Sequence, residues 1–414
     1  MLDPKFIREN FAALKKDVSA KQLDPKVVDD FLKIDEKRKK LLGEVEELQR
    51  QRNLVAKARD IEKGKKIKKQ LSAKEPDLAK VEEAWQSALR QIPNPPAKDV
   101  KVGKDGTANE VLRKWGEPAK FSFTPKDHLK IGQDLGIIDV ERAAKVSGTR
   151  FAYLKGDAAL LEFALVSFAM NTLVKEGFIP VVPPVLIKKE AMQGMGYLEH
   201  GGEEEMYVFD KDGLVLVGTS EQSVGPMHMN EVLAGKDLPL RYVGFSTCFR
   251  REAGAYGKDT KGILRVHQFD KVEMFSFTKP QDADKEHEFF LSLEEKLLQA
   301  LKIPYQVVKM CSGDLGAPAA RKYDLEAWLP GQNEYRELTS TSTTTDFQSR
   351  RLNIKYKEGD KSEFVHMLNG TAFAIGRTLI AILENYQQED GTIKVPEVLL
   401  PYLGKKVIGK SEVS

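Results

Sequence analysis

The stretch from Phe249 to Glu273 concentrates residues that could do chemistry. FRREAG, 249–254, sets Arg250 and Glu252 two residues apart, on one face of an expected strand. An arginine there offers a planar fork for a phosphate or carboxylate. After the charged, glycine-rich loop AGAYGKDTKGILR, the run RVHQFDKVEMF alternates as a second strand. Arg265, His267 and Phe269 then share a face with Lys271 and Glu273. Cations beside an exposed aromatic ring suit a nucleoside triphosphate, and a carboxylate suits an ammonium or a hydroxyl. An amphipathic hairpin with a charged outer face would show the same pattern, and the spacing leaves both readings open. Arg377, alone on the apolar helix pattern GRTLIAILENYQ (376–387), is either an end-capping charge or a phosphate ligand. ELTSTSTTTDFQSRR (337–351) is a hydroxyl-rich strand that an edge position or a solvated face would also explain.

Other chemistries are excluded. There is no GxxxxGK[ST] loop and no GxGxxG after a strand, so ATP would have to bind by another route. The chain has two cysteines, Cys248 and Cys311, in no CxxC pair, and no HExxH. A disulfide framework or a zinc site is not expected, and the compartment reads as reducing. The N-terminus lacks the apolar core of a signal peptide. Apolar runs such as 163–170 read as too short and interrupted to span a bilayer. Net charge is +3, so any nucleic-acid contact must come from a local patch.

The elements that must position these residues fall into two domains, 1–105 and 106–414, over 414 residues. A helical lead-in occupies 1–26, and Asp24-Pro25 signals the start of a longer helix. An apolar seam follows at Phe31, Ile34, Leu41, Val45, Leu48 and Val55, interrupted by Arg38 and Arg52. It returns at Leu71, Leu78, Val81, Trp85, Ala88 and Ile92. The spacing predicts an antiparallel coiled-coil arm about 50 Å long. Its tip is expected near Gly64, within KARDIEKGKKIKK. Lys57, Arg59, Lys63, Lys65, Lys66, Lys68 and Lys69 there form either a solvated charge run or a phosphate-binding patch. IPNPP (92–96) ends the second helix and 97–120 read as a linker. Beyond it, strand-like runs (VLVG, LPLRYVGFSTCFR, KVEMFSF, YQVVKM) alternate with a few helices, an α+β pattern with a mostly antiparallel sheet. A last helix is expected over 371–386.

Several motifs in fixed order resemble the bacterial-type seryl-tRNA synthetases, a class II aminoacyl-tRNA synthetase family, over essentially the whole length. GFIPVVPPVL (177–186), with Pro184, is similar to motif 1, FRREAG to RVHQF to motif 2, and GRTLIAILENYQ to motif 3. VGTSEQ, HQFDKVEMF, YDLEAWLP, DFQSRR, LNGTAFAIGR and VPEVLLPY resemble the seryl enzymes in particular. The resemblance implies ATP-dependent activation of L-serine and its transfer to tRNA(Ser), and also to tRNA(Sec), by a cytoplasmic homodimer with Mg²⁺ and without zinc. It gives Arg250 the α-phosphate and the attacking carboxylate, Arg377 the γ-phosphate of a bent ATP, and Phe269 the adenine. Glu252 would lie on the base or ribose side, and Arg265 would join the ATP contacts. Glu337 and Ser340 would bind ATP and its metal. Thr219 and Glu221 would receive the serine amino group, while Glu273, Asn369 and Thr371 would read its hydroxyl, with threonine the main competitor. No C-terminal anticodon-binding domain is expected, so tRNA would be read by the arm, serving the other subunit's active site.

Some positions depart from the family pattern. STSTTTDFQ (340–348) is richer in threonine, Arg251 stands where serine is common, and Thr149 in GTRF replaces serine. A carrier-protein amino acid ligase would lack the arm. A non-catalytic paralogue would have lost Arg250, Glu252, Glu273 or Arg377, and a purely structural coiled coil would not carry the motifs.

Overall fold

The computed structural model describes residues 1–253 and 261–410. Most of the loop between the two motif 2 strands, 254–260, lies outside the described residues. The chain divides into two compact units, 1–95 and 96–414.

In the first unit, Asp3 caps helix α1 (Pro4–Ala20), with proline in its first turn. Helices α2 (Lys26–Ala58) and α3 (Ile61–Arg90) pair antiparallel, as the two seams predict. The seam core is Val45, Ile67 and Leu71, with Leu48, Val55 and Leu78 packed on it. Nearer the base, Phe31 meets Trp85 at 5.8 Å between ring centroids. Arg38 does not interrupt this seam: its guanidinium lies 4.6 Å from the Trp85 ring centre and pairs with Glu82. Asp35, buried there, accepts from Trp85 Nε1 at 2.9 Å and pairs with Arg8 and Lys39. Burial works to raise its pKa, but those three partners win and hold it below the ordinary carboxylate range. The tip is not at Gly64. Arg59 turns the chain in the left-handed region (φ 56°) and Asp60 caps α3, accepting from Lys63 N. Gly64 is already helical and faces Val55 across the seam.

The second unit is built on an eight-stranded sheet: β1 (Glu110–Trp115), β2 (Ile179–Val181), β3 (Leu240–Phe249), β4 (Gln268–Thr278), β5 (Tyr305–Lys309), β6 (Arg321–Leu329), β7 (Glu334–Thr345) and β8 (His366–Ala374). Their order is β1-β5-β6-β7-β8-β4-β3-β2, antiparallel throughout except β2 beside β3. The fold is thus α+β, with a helical arm and a mostly antiparallel sheet. The segment read as a linker is not one. Residues 97–103 are bonded to the sheet unit, Ala97 N to Ala320 O and Gly103 N to Ser312 Oγ, and β1 forms an edge. Every β1 side chain is exposed, which erases the alternating pattern that marks a strand. The hydroxyl-rich strand β7 is central and largely buried, neither an edge nor a solvated face.

Three helices back the sheet. Helix α4 (Asp157–Lys175) buries Leu161, Leu165, Phe168 and Leu173. It is longer than the apolar run at 163–170 suggests, and by length and composition alone it could cross a bilayer. Its buried stripe instead belongs to the main core, beside Val272, Met274 and Phe373 of the sheet. Helix α5 (Ala283–Ala300) packs under β7 and β8. The last long helix, α6 (Ile375–Asn385), starts four residues later than its periodicity suggests. Residues 371–374 still pair with β4, Glu273 opposite Thr371 and Lys271 opposite Ala374, and so stay extended.

Candidate active site

One face of β4, β7 and β8 floors a cavity of about 550 Å³, well within the range for a substrate site. From β4 it takes Phe269, Lys271 and Glu273, which alternate as the sequence predicts. From β8 come Asn369 and Thr371, and from β7 Glu337, Ser340, Ser342 and Thr344. Glu337 and Ser340 are three apart and would point to opposite faces of a regular strand. The β6–β7 register shifts there: Leu325 pairs with Thr339 but Glu326 with Glu337, leaving Leu338 as an extra residue. That bulge brings both side chains to the cavity.

Motif 2 is less regular than two long strands. Strand β3 ends at Phe249, and Glu252 sits at φ 52° beyond it. Arg265 and His267 precede β4 rather than belonging to it. Arg265 still reaches the cavity and pairs with Glu252 at 2.9 Å. His267 does not line it: its ring lies 5.3 Å from that of Phe151, and its Nδ1 bonds the Arg250 carbonyl. After the undescribed loop, Gly262 (φ 79°) lets the chain pass His128, whose Nε2 would lie 2.1 Å from a Cβ there.

Arg250 is aimed by its own surroundings. Its Nε donates to the Gly218 carbonyl at 3.1 Å, and its guanidinium lies 5.3 Å from the Phe269 ring centre. Arg377, in the first turn of α6, donates to the Glu337 carbonyl and pairs with its carboxylate at 3.1 Å. Enclosure in the cleft works to raise the Glu337 pKa, but Arg377, Lys322 and Arg250 overcome it and hold the group at about 2. Glu337 is therefore an anion at neutral pH.

The other end of the cavity holds Thr219, Glu221, Glu273, Asn369 and Thr371, all buried. Glu273 pairs with Lys271 at 2.7 Å. Burial and the neighbouring Glu273 push Glu221 up to about 7, against the pull of Tyr197, Lys271 and Gln348. This end can hold a small ligand with a cationic group and a hydrogen-bonding group. The arginine-rich end can hold a polyphosphate.

Every residue singled out for ATP and serine lines this cavity: Thr219, Glu221, Arg250, Glu252, Arg265, Phe269, Glu273, Glu337, Ser340, Asn369, Thr371 and Arg377. The seven basic residues around the arm tip belong to the other unit and are all exposed. Lys63 and Lys65 pair loosely with Asp60 and Glu62 of their own helix, whereas the other five have no acidic partner among the described residues. Sequence reasoning missed Lys322 and Tyr197. Lys322 faces the cavity from β6 and pairs with Asp324. Its signal was a lysine in register with Ser342 of the hydroxyl-rich strand. Tyr197 comes from a loop with no periodicity to reveal it.

Comparisons with known proteins point to one family. Residues 207–386 match the model of the tRNA synthetase class II core domain (G, H, P, S and T), and residues 1–96 match that of the seryl-tRNA synthetase N-terminal domain. A serine–tRNA ligase of Dictyoglomus turgidum is 47% identical over 417 residues, 98% of each chain. The crystal structure of seryl-tRNA synthetase from Pyrococcus horikoshii complexed with ATP superposes with a TM-score of 0.93 at 40% identity, covering 100% of both chains. The cytoplasmic serine–tRNA ligase of Naegleria fowleri in complex with AMP gives 0.89 at 36%, covering 100% of this chain and 99% of its own.

Proposed function

The chain belongs to the seryl-tRNA synthetase family, enzymes that use ATP to activate serine and charge tRNA, and from that premise we propose how its residues divide the work. The observation that carries the proposal is the two-ended cavity, with arginines and Phe269 at one end and buried carboxylates with Thr219, Asn369 and Thr371 at the other.

The serine carboxylate attacks the α-phosphate of ATP. A carboxylate–phosphate bond forms, the bond to pyrophosphate breaks, and seryl-adenylate remains. The nucleophile is already ionised, so no side-chain base is required. Charge builds on phosphate oxygens, and fixed cations stabilise it. Arg250, held by Gly218 and Phe269, contacts the α-phosphate and the attacking carboxylate. Arg377 holds the γ-phosphate of a bent ATP, Phe269 stacks on adenine, and Glu252 with Arg265 borders the base or ribose. Magnesium commonly binds through one or two carboxylates plus substrate phosphates. An ionised Glu337 beside Ser340 fits that donor set, and a bound Mg²⁺ would neutralise phosphate charge there.

At the other end, Glu221 and Thr219 receive the serine ammonium, and Glu273, Asn369 and Thr371 read the hydroxyl. Alanine is rejected because it leaves these buried polar groups unpaired. Threonine, which keeps the hydroxyl, is the stronger competitor. In the second step a ribose hydroxyl at the tRNA 3′ end attacks the seryl carbonyl, and AMP leaves.

The unit of residues 1–95 presents the basic tip to the tRNA(Ser) backbone, and the unit of residues 96–414 carries the chemistry. We include tRNA(Sec) as a second acceptor, tested by charging it beside tRNA(Ser). The enzyme works as a cytoplasmic homodimer. The pairing of two copies is supported by Leu160, Phe163 and Val174, exposed on α4, with Ile179 and Val182 just beyond it. Paired variants test the division of labour. Arg377→Ala should raise the KM for ATP at least roughly tenfold and leave that for serine within about twofold, and Glu273→Ala should do the reverse. Equal effects on both constants from either variant would contradict it.

A further inference from the structure

The carboxylate assigned to the serine ammonium is itself gripped from behind. Tyr197 Oη donates to Glu221 Oε1 at 2.8 Å, and Gln348 Nε2 donates to the same oxygen at 3.3 Å. Oε2 makes no hydrogen bond among the described residues. Both donors are fixed in turn. The Gln348 amide also donates to Met195 O, and its oxygen accepts from Thr344 Oγ1. The loop carrying Tyr197 is pinned to helix 347–352 by Glu199, which pairs with Arg351 at 3.0 Å with both side chains almost fully buried. Arg351 also donates to Gln193 O and lies over the Phe347 ring at 4.6 Å. A Cβ on Gly202 would lie 2.0 Å from the Tyr197 carbonyl oxygen, so the loop closes tightly on itself.

We propose that Tyr197 and Gln348 are positioning residues for amino acid binding: they occupy one oxygen of Glu221 and present the other, Oε2, to the substrate ammonium. This rests on the reading of Glu221 given above. The arrangement also bears on ionisation. Burial and Glu273 disfavour the Glu221 carboxylate, while the bonds from Tyr197 and Gln348, and the charge of Lys271, favour it. Arg250 also acts on Tyr197. Burial pushes the Tyr197 hydroxyl well above its ordinary pKa, so it stays a donor throughout the working range. Loss of either hydrogen bond leaves Glu221 protonated to higher pH, where it pairs poorly with an ammonium.

The test is serine-dependent pyrophosphate exchange by the full-length chain between pH 6 and 8.5, with Tyr197→Phe, Gln348→Met and Glu221→Gln. Tyr197→Phe should raise the serine KM roughly tenfold at pH 7, keep the ATP KM within about twofold, and move the pH midpoint of kcat/KM for serine upward by about a unit. Gln348→Met should act in the same direction and serves alone should Tyr197→Phe fail to fold. Higher KM values for both substrates with an unmoved midpoint would mean a merely structural role and overturn the proposal. So would unchanged serine kinetics in Tyr197→Phe and Gln348→Met while Glu221→Gln loses serine affinity. Unchanged serine affinity in Glu221→Gln would overturn the Glu221 reading and this proposal together.

Discussion

Arg250 shows how much a single side chain depends on its neighbours. Its Nε is engaged by the Gly218 carbonyl, which leaves the far side of the fork for substrate. A lysine cannot keep that anchor and present two parallel donors. Arg250→Lys should therefore lower the exchange kcat by roughly a hundredfold, close to the loss expected for alanine. Recovery of near wild-type kcat in the lysine variant would show that charge alone suffices. Glu221 supplies the pH prediction. With its pKa near 7, it is neutral below that value and anionic above it. The kcat/KM for serine should rise about tenfold per pH unit up to pH 7 and then level, and Glu221→Gln should flatten the rise. At this scale the sequence was informative where residue types were unusual for their setting. An arginine on an apolar helix and carboxylates alternating with Phe269 stood out from their surroundings. Tyr197 did not, because a tyrosine in an irregular loop carries no such contrast. Only the three-dimensional contact with Glu221 gives it meaning.

Elements place these residues by departing from regularity. The bulge at Leu338 is what brings Glu337 and Ser340 to one cavity. Glu337→Gln keeps this bulge and removes the charge it brings beside Ser340. Exchange should then fall at least roughly a hundredfold, since a carboxylate that would hold Mg²⁺ against the phosphates is lost, while circular dichroism still reports a folded sheet. Retained activity would mean that Glu337 does not act on ATP. In the arm, Asp35→Ala should strip Trp85, Arg8 and Lys39 of their shared acceptor and destabilise that unit by about 2–3 kcal/mol. Faster amide exchange along α2 and α3, with α4 unchanged, is the expected readout. Long seams of period 3.5 made α2 and α3 legible in advance. Their turn was misplaced because glycine looked like the break, whereas a capping aspartate after a left-handed arginine makes it. The edge strand β1, fully exposed, and the central strand β7, buried despite its hydroxyls, defeat polarity patterns for opposite reasons. Threonine and serine can be buried where their hydroxyls bond backbone, as Thr341 does to Asn369 O.

At the scale of the whole molecule, the two units should be separable in function. Reversing charge at Lys66, Lys68 and Lys69 should weaken tRNA charging and make its salt dependence shallower by about one unit of slope per lost phosphate contact. Exchange, which needs no tRNA, should be untouched. The exposed stripe on α4 makes a parallel prediction for assembly: Phe163→Glu should yield monomers in sedimentation. Pyrophosphate exchange into ATP by the wild-type chain, run with each of the twenty amino acids in turn, reads the serine pocket itself. Strong exchange is expected with serine, with threonine a distant second and alanine and glycine weaker still. Exchange supported best by any other amino acid, or alanine or glycine activated better than threonine, would contradict the reading of Glu221, Glu273, Asn369 and Thr371 as a serine pocket.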